Sequence, residues 1–169
     1  MSNIFFGNTF SLAASVFLCL SAAASGRRET YLFQVGECAF LLVAQLFFGQ
    51  LGAAAVMIFS IVRNLLLTFD KYNNAWMLVL FVFTGYFGLK INTGGVVGLI
   101  PVIATMVYTL SSKLAKSRVN VKIALLLNLF LWVAYSFLIK DYVTAGMNSL
   151  AAVLALISLF ARARSTCEK

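Results

Sequence analysis

The sequence predicts an all-α membrane protein of seven transmembrane helices, arranged as two parallel three-helix bundles joined by a linker helix (3+1+3). Three observations predict it. Hydrophobic residues make up 62% of the 169 positions and charged residues 11%, where a soluble domain is about a quarter charged. The apolar residues come in blocks of about 15 to 20, the length that crosses about 30 Å of hydrocarbon. Basic residues gather in alternate breaks between the blocks, as in a chain whose loops lie by turns on the two sides of a membrane.

In lipid, backbone polar groups must pair within a helix or around a closed barrel. Barrel strands would read as short alternating segments, so these continuous blocks predict helices. The first span, roughly 9–25, ends in the small residues Ala22 to Ser25 like a secretory signal. No Lys or Arg precedes its apolar stretch, however, so it is read as a retained helix and not a cleaved leader. Arg27 and Arg28 precede the second span, roughly 30–48. The third, roughly 51–69, is set off only by Gly49, Gln50, Leu51 and Gly52. The fourth, roughly 74–90, follows Lys71, and the fifth, roughly 94–112, follows Lys90 to Gly95. The sixth, roughly 120–138, follows Lys113, Lys116 and Arg118; the seventh, roughly 142–161, follows Lys140 and Asp141. Losing the break at Gly49 or at Lys90 would leave six spans.

Charge fixes the predicted direction. Arg27, Arg28, Lys71, Lys113, Lys116, Arg118, Lys122, Arg162, Arg164 and Lys169 fall on one side, Lys90 and Lys140 on the other, and Arg63 inside a span. Cytoplasmic loops collect Lys and Arg. The N-terminus is therefore predicted outside and the C-terminus in the cytoplasm, in a plasma membrane. The net charge of +8 follows this topology, so no nucleic-acid partner is expected.

Spans one to three and five to seven share a plan of helix, basic loop, helix, short turn, helix. Three is odd, and the intervening fourth span restores the orientation, which makes the repeats parallel. The predicted organisation is a first unit over residues 1–70, a linker helix over 71–91, a second unit over 92–162 and a cytoplasmic tail over 163–169. Gapless alignment of 49–69 on 140–160 matches few residues, so the repeat is carried by spacing and not by identity.

The sequence has no His, and it has no closely spaced carboxylate pair, nucleophile motif or phosphate-cradling glycine loop. No enzymatic activity, catalytic residue or cofactor is expected. Cys19, Cys38 and Cys167 lack the spacing of a disulfide framework or a zinc site, and no metal is expected. Ionisable groups within spans are costly and usually face a cavity or a partner. Glu37 and Arg63 lie about 10 and 9 Å from the same side at 1.5 Å per residue. They are predicted to form an intramembrane ion pair or a gate: neutralisation that fixes packing, or a part in binding, gating or proton coupling. Pro101 removes a backbone hydrogen bond and, with Gly94, Gly95 and Gly98 nearby, is predicted to let the fifth helix bend as a kink or hinge. Tyr72 and Trp76 read as interface anchors.

The three, one and three spans, the outside N-terminus and the basic tail resemble the SWEET, PQ-loop and PnuC-type (MtN3-like) transporter superfamily, whose parallel repeats flank a midplane solute site. The specific part is Asn128, Trp132 and Tyr135, then Lys140, Asp141 and Tyr142, then Asn148. The resemblance implies that Trp132 and Asn148 line a substrate site, with Asn128 one turn above Trp132 on the same face. An indole stacks on a sugar or vitamin ring, and a carboxamide both donates and accepts. Pro101 matches the superfamily's proline but is followed by Val102, not glutamine. Leu41 and Met57 stand where the first unit would need Trp and Asn, so no symmetrical clamp carries over. Over its whole length, and in Ile61, Val62, Arg63, Asn64 and Leu65 and in Tyr72, Asn73, Asn74, Ala75 and Trp76, the chain looks most like the YgjV-type bacterial inner membrane proteins. The expected function is a small-solute transporter or facilitator for a sugar- or vitamin-like compound, working by alternating access between the repeats. The alternative is a non-transporting receptor or assembly protein on the same fold. The expected partners are the lipid bilayer and a small polar solute, with homo-oligomer formation left open.

Overall fold

The structure is a computed structural model that describes residues 2–114, 118–138 and 142–167. The loop and tail residues Lys116, Lys140, Asp141 and Lys169 lie outside the described residues. Seven helices and no strands occur among the described residues: α1 (Ser2–Ala23), α2 (Arg27–Phe47), α3 (Leu51–Thr68), α4 (Asn74–Lys90), α5 (Leu99–Leu114), α6 (Arg118–Leu138) and α7 (Tyr142–Cys167). Four of them, α1, α2, α3 and α6, are long and apolar enough to cross a membrane, while α4, α5 and α7 contain shorter apolar stretches.

Both weakly marked breaks are present, and backbone geometry explains them. After α2, Gly49 adopts φ +70°, and Gln50 N donates back to Gln45 O at 2.9 Å, a left-handed C-cap that glycine adopts without strain. After α3, Asp70 takes the same role at φ 55°, with Lys71 N donating to Leu66 O at 2.8 Å. Aspartate is among the few residues with a side chain that visit this region. Arg27 Nη1 then reaches Asp70 Oδ1 at 3.7 Å, and Gly26 N donates to Glu29 Oε2 at 3.1 Å to cap α2.

The fifth helix departs from expectation. It begins at Leu99 and not near residue 94. Asn92 wraps the preceding glycines: its Oδ1 accepts from Gly94 N at 2.9 Å and its Nδ2 donates to Gly95 O at 2.7 Å, while Gly95 sits at φ 58°. Hydropathy could not show this, because Val96 and Val97 read as span. Pro101 is therefore the third residue of α5, not a mid-helix residue. A first-turn position has no intrahelical acceptor for its N–H, so proline is tolerated there.

Each helix packs on the next in sequence, α7 closes onto α1, and α3 also touches α5. The first three helices and the last three thus meet along two seams, with α4 packed on α3 and α5. Short connections make successive helices antiparallel. The Arg27–Asp70 pair and the bond from Lys113 Nζ to Tyr72 O (3.4 Å) gather three connections at one end of the bundle. At the other end Gly52 lies against the backbone of Asn92.

The packing is inverted relative to a soluble protein. Large apolar side chains such as Phe5, Leu12, Leu32, Ile58, Val82, Leu127 and Phe130 point outward, while Gln34, Arg63, Asn64, Thr109, Lys122 and Asn148 are buried. Such a surface suits hydrocarbon as the surrounding solvent. Four buried hydroxyls are satisfied within their own helices: Ser15, Thr68, Thr109 and Ser112 each donate to the carbonyl four residues back, at 2.6–2.8 Å.

Close helix approach depends on Gly88, where an added Cβ would meet Val102 Cγ2 at 2.7 Å and Val56 Cγ2 at 3.3 Å. Gly88→Val should lower stability by about 1–3 kcal/mol through overpacking. At Gly146, nothing lies within 4 Å of an added Cβ, so Gly146→Ala should not destabilise and should gain roughly 0.5–1 kcal/mol of helix propensity. Thermal unfolding in detergent compares the two, and equal losses would contradict the close approach at Gly88.

Candidate functional site

Six of the seven helices present one polar face each to the interior. On α2, Gln34, Glu37, Cys38 and Leu41 follow the spacing i, i+3, i+4, i+7 of a single helical face. On α3 the inward set is Met57, Ser60, Arg63 and Asn64; on α5 it is Thr105 and Tyr108; on α6 it is Leu125, Asn128 and Trp132. These residues surround a cavity of about 20 Å³. A second cavity of about 20 Å³ is lined by Ser11, Ala14, Ser15 and Leu18 of α1 and by Thr144 and Asn148 of α7. Glu37, Leu41, Asn128 and Trp132 line both and form the wall between them. Each space has room for about one water molecule.

The cationic pole is held rigidly. Arg63 is 3% exposed; its Nε donates to Asn64 Oδ1 at 3.1 Å and its Nη1 to Thr109 Oγ1 at 3.3 Å. The guanidinium lies over the Tyr108 ring, 4.4 Å from its centroid, a cation–π arrangement that offsets part of the loss of hydration. Asn64 Nδ2 in turn donates to Cys38 Sγ at 3.8 Å. Gln34 of α2 and Tyr108 of α5 hydrogen-bond each other at 2.9 and 3.0 Å and so satisfy one another.

Glu37 faces the same cavity as Arg63, as the depth of the two residues from one side predicts. Among the described residues the ion pair within 4.0 Å is Arg27–Asp70, so the Glu37 carboxylate and the Arg63 guanidinium share the cavity without direct contact. Asn128 and Trp132 line this cavity as well, whereas Asn148 lines the second one. Trp132 stands edge-on to Tyr135 with ring centroids 5.6 Å apart, and Asn128 Oδ1 is buried without a hydrogen-bond partner. Leu41 lines both cavities, and Met57 lines the first. Pro101 is buried outside both linings.

Two placements differ from the sequence reading. Lys122, counted there with the loop cations, is 1% exposed, and its Nζ donates to Ser21 O at 2.9 Å and Ala22 O at 2.6 Å. It caps the C-terminal carbonyls of α1, where a cation complements the helix dipole. Its position inside the predicted sixth span, between Val121 and Ile123, was the available signal. Tyr72 is no interface anchor: its hydroxyl donates to Thr109 O at 2.8 Å from a buried position. Burial pushes its phenol up to about 12, with Arg63 lowering it and Tyr31 adding to the rise, so it remains a donor at neutral pH. Thr109 was not singled out, and only its neighbours from α3 and the α3–α4 connection reveal its part. Trp76 stays exposed, as an anchor would, and its backbone N–H is capped by Asn73 Oδ1 at 2.9 Å.

A family model described as bacterial inner membrane protein, Imp-YgjV, matches residues 5–166. The chain belongs to this family. The match spans all seven helices, and it bears out the resemblance carried by Ile61 to Leu65 and Tyr72 to Trp76. In the Imp-YgjV chain the first tract supplies the Arg63–Asn64 pair and the second supplies the cap of α4. Comparison with curated proteins and with solved structures finds no match.

Proposed function

We propose that this Imp-YgjV protein is a small-solute transporter or facilitator that alternates access by rocking the α1–α3 unit against the α5–α7 unit. The observation that carries this is the pair of polar cavities between the units, walled by Glu37, Leu41, Asn128 and Trp132 inside an apolar bundle. Polar groups are expensive at such a depth and usually mark a solute path. Likeness to the SWEET and PQ-loop plan, with its midplane site between parallel repeats, supports the same reading. So does the position of Leu41 and Trp132, equivalent under the proposed repeat, in the wall common to both cavities. The basic residues Arg27, Arg28, Lys71 and Lys113 at one end of the bundle support a reading with that end in the cytoplasm and the N-terminus outside.

The test is ligand-induced thermal stabilisation of the purified protein across sugars, nucleosides and vitamins, followed by counterflow in liposomes. Trp132→Ala should cut counterflow at least about tenfold by removing an aromatic stacking surface, while leaving the protein monodisperse in detergent. Co-purification of one stoichiometric protein partner, with no solute moved, would favour a receptor or assembly role. Glu37 is the carboxylate at the cavities, and passive equilibration is the simpler mechanism. Uptake that collapses with a protonophore in the native protein, but not in Glu37→Gln, would replace it with proton coupling.

A further inference from the structure

We infer that the central site takes a small zwitterion, a solute with an ammonium group at one end and a carboxylate at the other. The inference rests on reading the cavities as a solute site and names the class of solute. It follows from asking which polar groups the protein satisfies by itself. Gln34 and Tyr108 satisfy each other, and Asn64 is held by Arg63 and Cys38. Those groups need nothing from a ligand.

Two poles remain. Glu37 stands in the wall between the cavities, and among the described residues no hydrogen bond and no ion pair within 4.0 Å reaches its carboxylate. Beside it in the same wall, Asn128 Oδ1 is a buried acceptor without a partner, and Trp132 offers an aromatic face that attracts cations. This is an acceptor pole suited to an ammonium group. The second pole is Arg63, whose bonds to Asn64 and Thr109 occupy two of its five N–H donors. The guanidinium is fixed over Tyr108, and its remaining donors suit a carboxylate in the planar, paired geometry that arginine favours.

The two charges lie in one cavity without contact, so neither neutralises the other directly. In a low-dielectric interior an unpaired charge is far more costly than a paired one. A neutral polyol can hydrogen-bond both poles but leaves both charges uncompensated, and a simple cation or anion would match one and be repelled by the other. A zwitterion matches both with no change in net charge. Small size agrees with the space, since each cavity holds about one water and movement of the shared wall residues would join the two. Ser11 Oγ, buried and unpartnered, and Asn148 line the second cavity, where they can meet a polar side group of the solute.

The test uses the purified full-length native protein. Thermal stabilisation is measured with L-alanine, β-alanine and γ-aminobutyrate, with N-acetylalanine and alanine methyl ester as analogues lacking one charge, and with glucose as a neutral control. At least one free zwitterion should stabilise the protein, and capping either end should weaken binding at least about tenfold. The spacing series reports the separation of the poles. Glu37→Gln should lose preference for the free amine over the acetylated one. Glucose, or a capped analogue, binding as well as the zwitterions would overturn the zwitterion class, and counterflow of that compound would leave transport standing. Zwitterion binding without counterflow in liposomes would uphold the class and overturn transport. No stabilisation by any zwitterion would overturn the inference.

Discussion

Lys122→Met is expected to destabilise the protein by about 2–4 kcal/mol, because it removes two charge-assisted hydrogen bonds from a helix end that has no water to replace them. The ammonium of Lys122 in α6 reaches the carbonyls of Ser21 and Ala22 at 2.9 and 2.6 Å, within two residues of the point where α1 ends at Ala23. Methionine keeps the length and apolar stem of lysine, so packing loss is small and the effect reports the cap. Lys113 makes a longer bond, 3.4 Å to Tyr72 O, from a half-buried position, and Lys113→Met should lose less than about 1 kcal/mol. Thermal or denaturant unfolding in detergent compares the two. Equal losses would mean that Lys122 contributes no more than a loop cation. The cap also ties α1 to α6, so the variant should loosen the contact between the units before it unfolds either one.

The second large effect is expected at Arg63. Arg63→Gln removes the cation, its bonds to Asn64 and Thr109 and its stacking on Tyr108, and leaves the Glu37 carboxylate in the same cavity with no positive charge. Losing this cation leaves Asn64 and Thr109 each short of a partner and Glu37 without the opposite charge in its cavity, together about 2–4 kcal/mol. Glu37→Gln alone should cost less, since no hydrogen bond among the described residues is lost with it. Combined with Arg63→Gln it should restore part of the stability, and a charge-swapped pair should do the same. The remaining deficit would belong to Asn64 and Thr109. Strictly additive losses, with no recovery in either double variant, would show that the two charges do not sense one another.

Much of the fold was legible because hydrophobicity in a membrane is a local, additive property. A block of about 20 apolar residues has to span, whatever its neighbours are. Even the weak break at Gly49 could be read, since a glycine there permits a left-handed cap. The start of α5 could not be read from hydropathy, because the turn over Gly94 to Gly98 is held by the side chain of Asn92 and has apolar residues within it. Charge counting gave the correct end of the bundle for Lys122 but the wrong environment. The apolar neighbours Val121 and Ile123 carried the signal that this lysine is not in a loop, but the carbonyls it caps lie about a hundred positions away.

The candidate site divides along the same line. Glu37 and Arg63 stood out because a charge inside an apolar block is conspicuous by itself, and Asn128, Trp132 and Asn148 through resemblance. Thr109 and the Gln34–Tyr108 pair acquire meaning only from what faces them, and seventy-four positions separate Gln34 from Tyr108. The sequence by itself determined that this chain is a bundle of seven membrane helices with its basic loops at one end, because burial in hydrocarbon acts on each segment independently. Only the tertiary structure decided which polar groups satisfy one another and which are left facing the central space, because hydrogen bonding inside the bundle depends on pairs of helix faces that no single segment encodes.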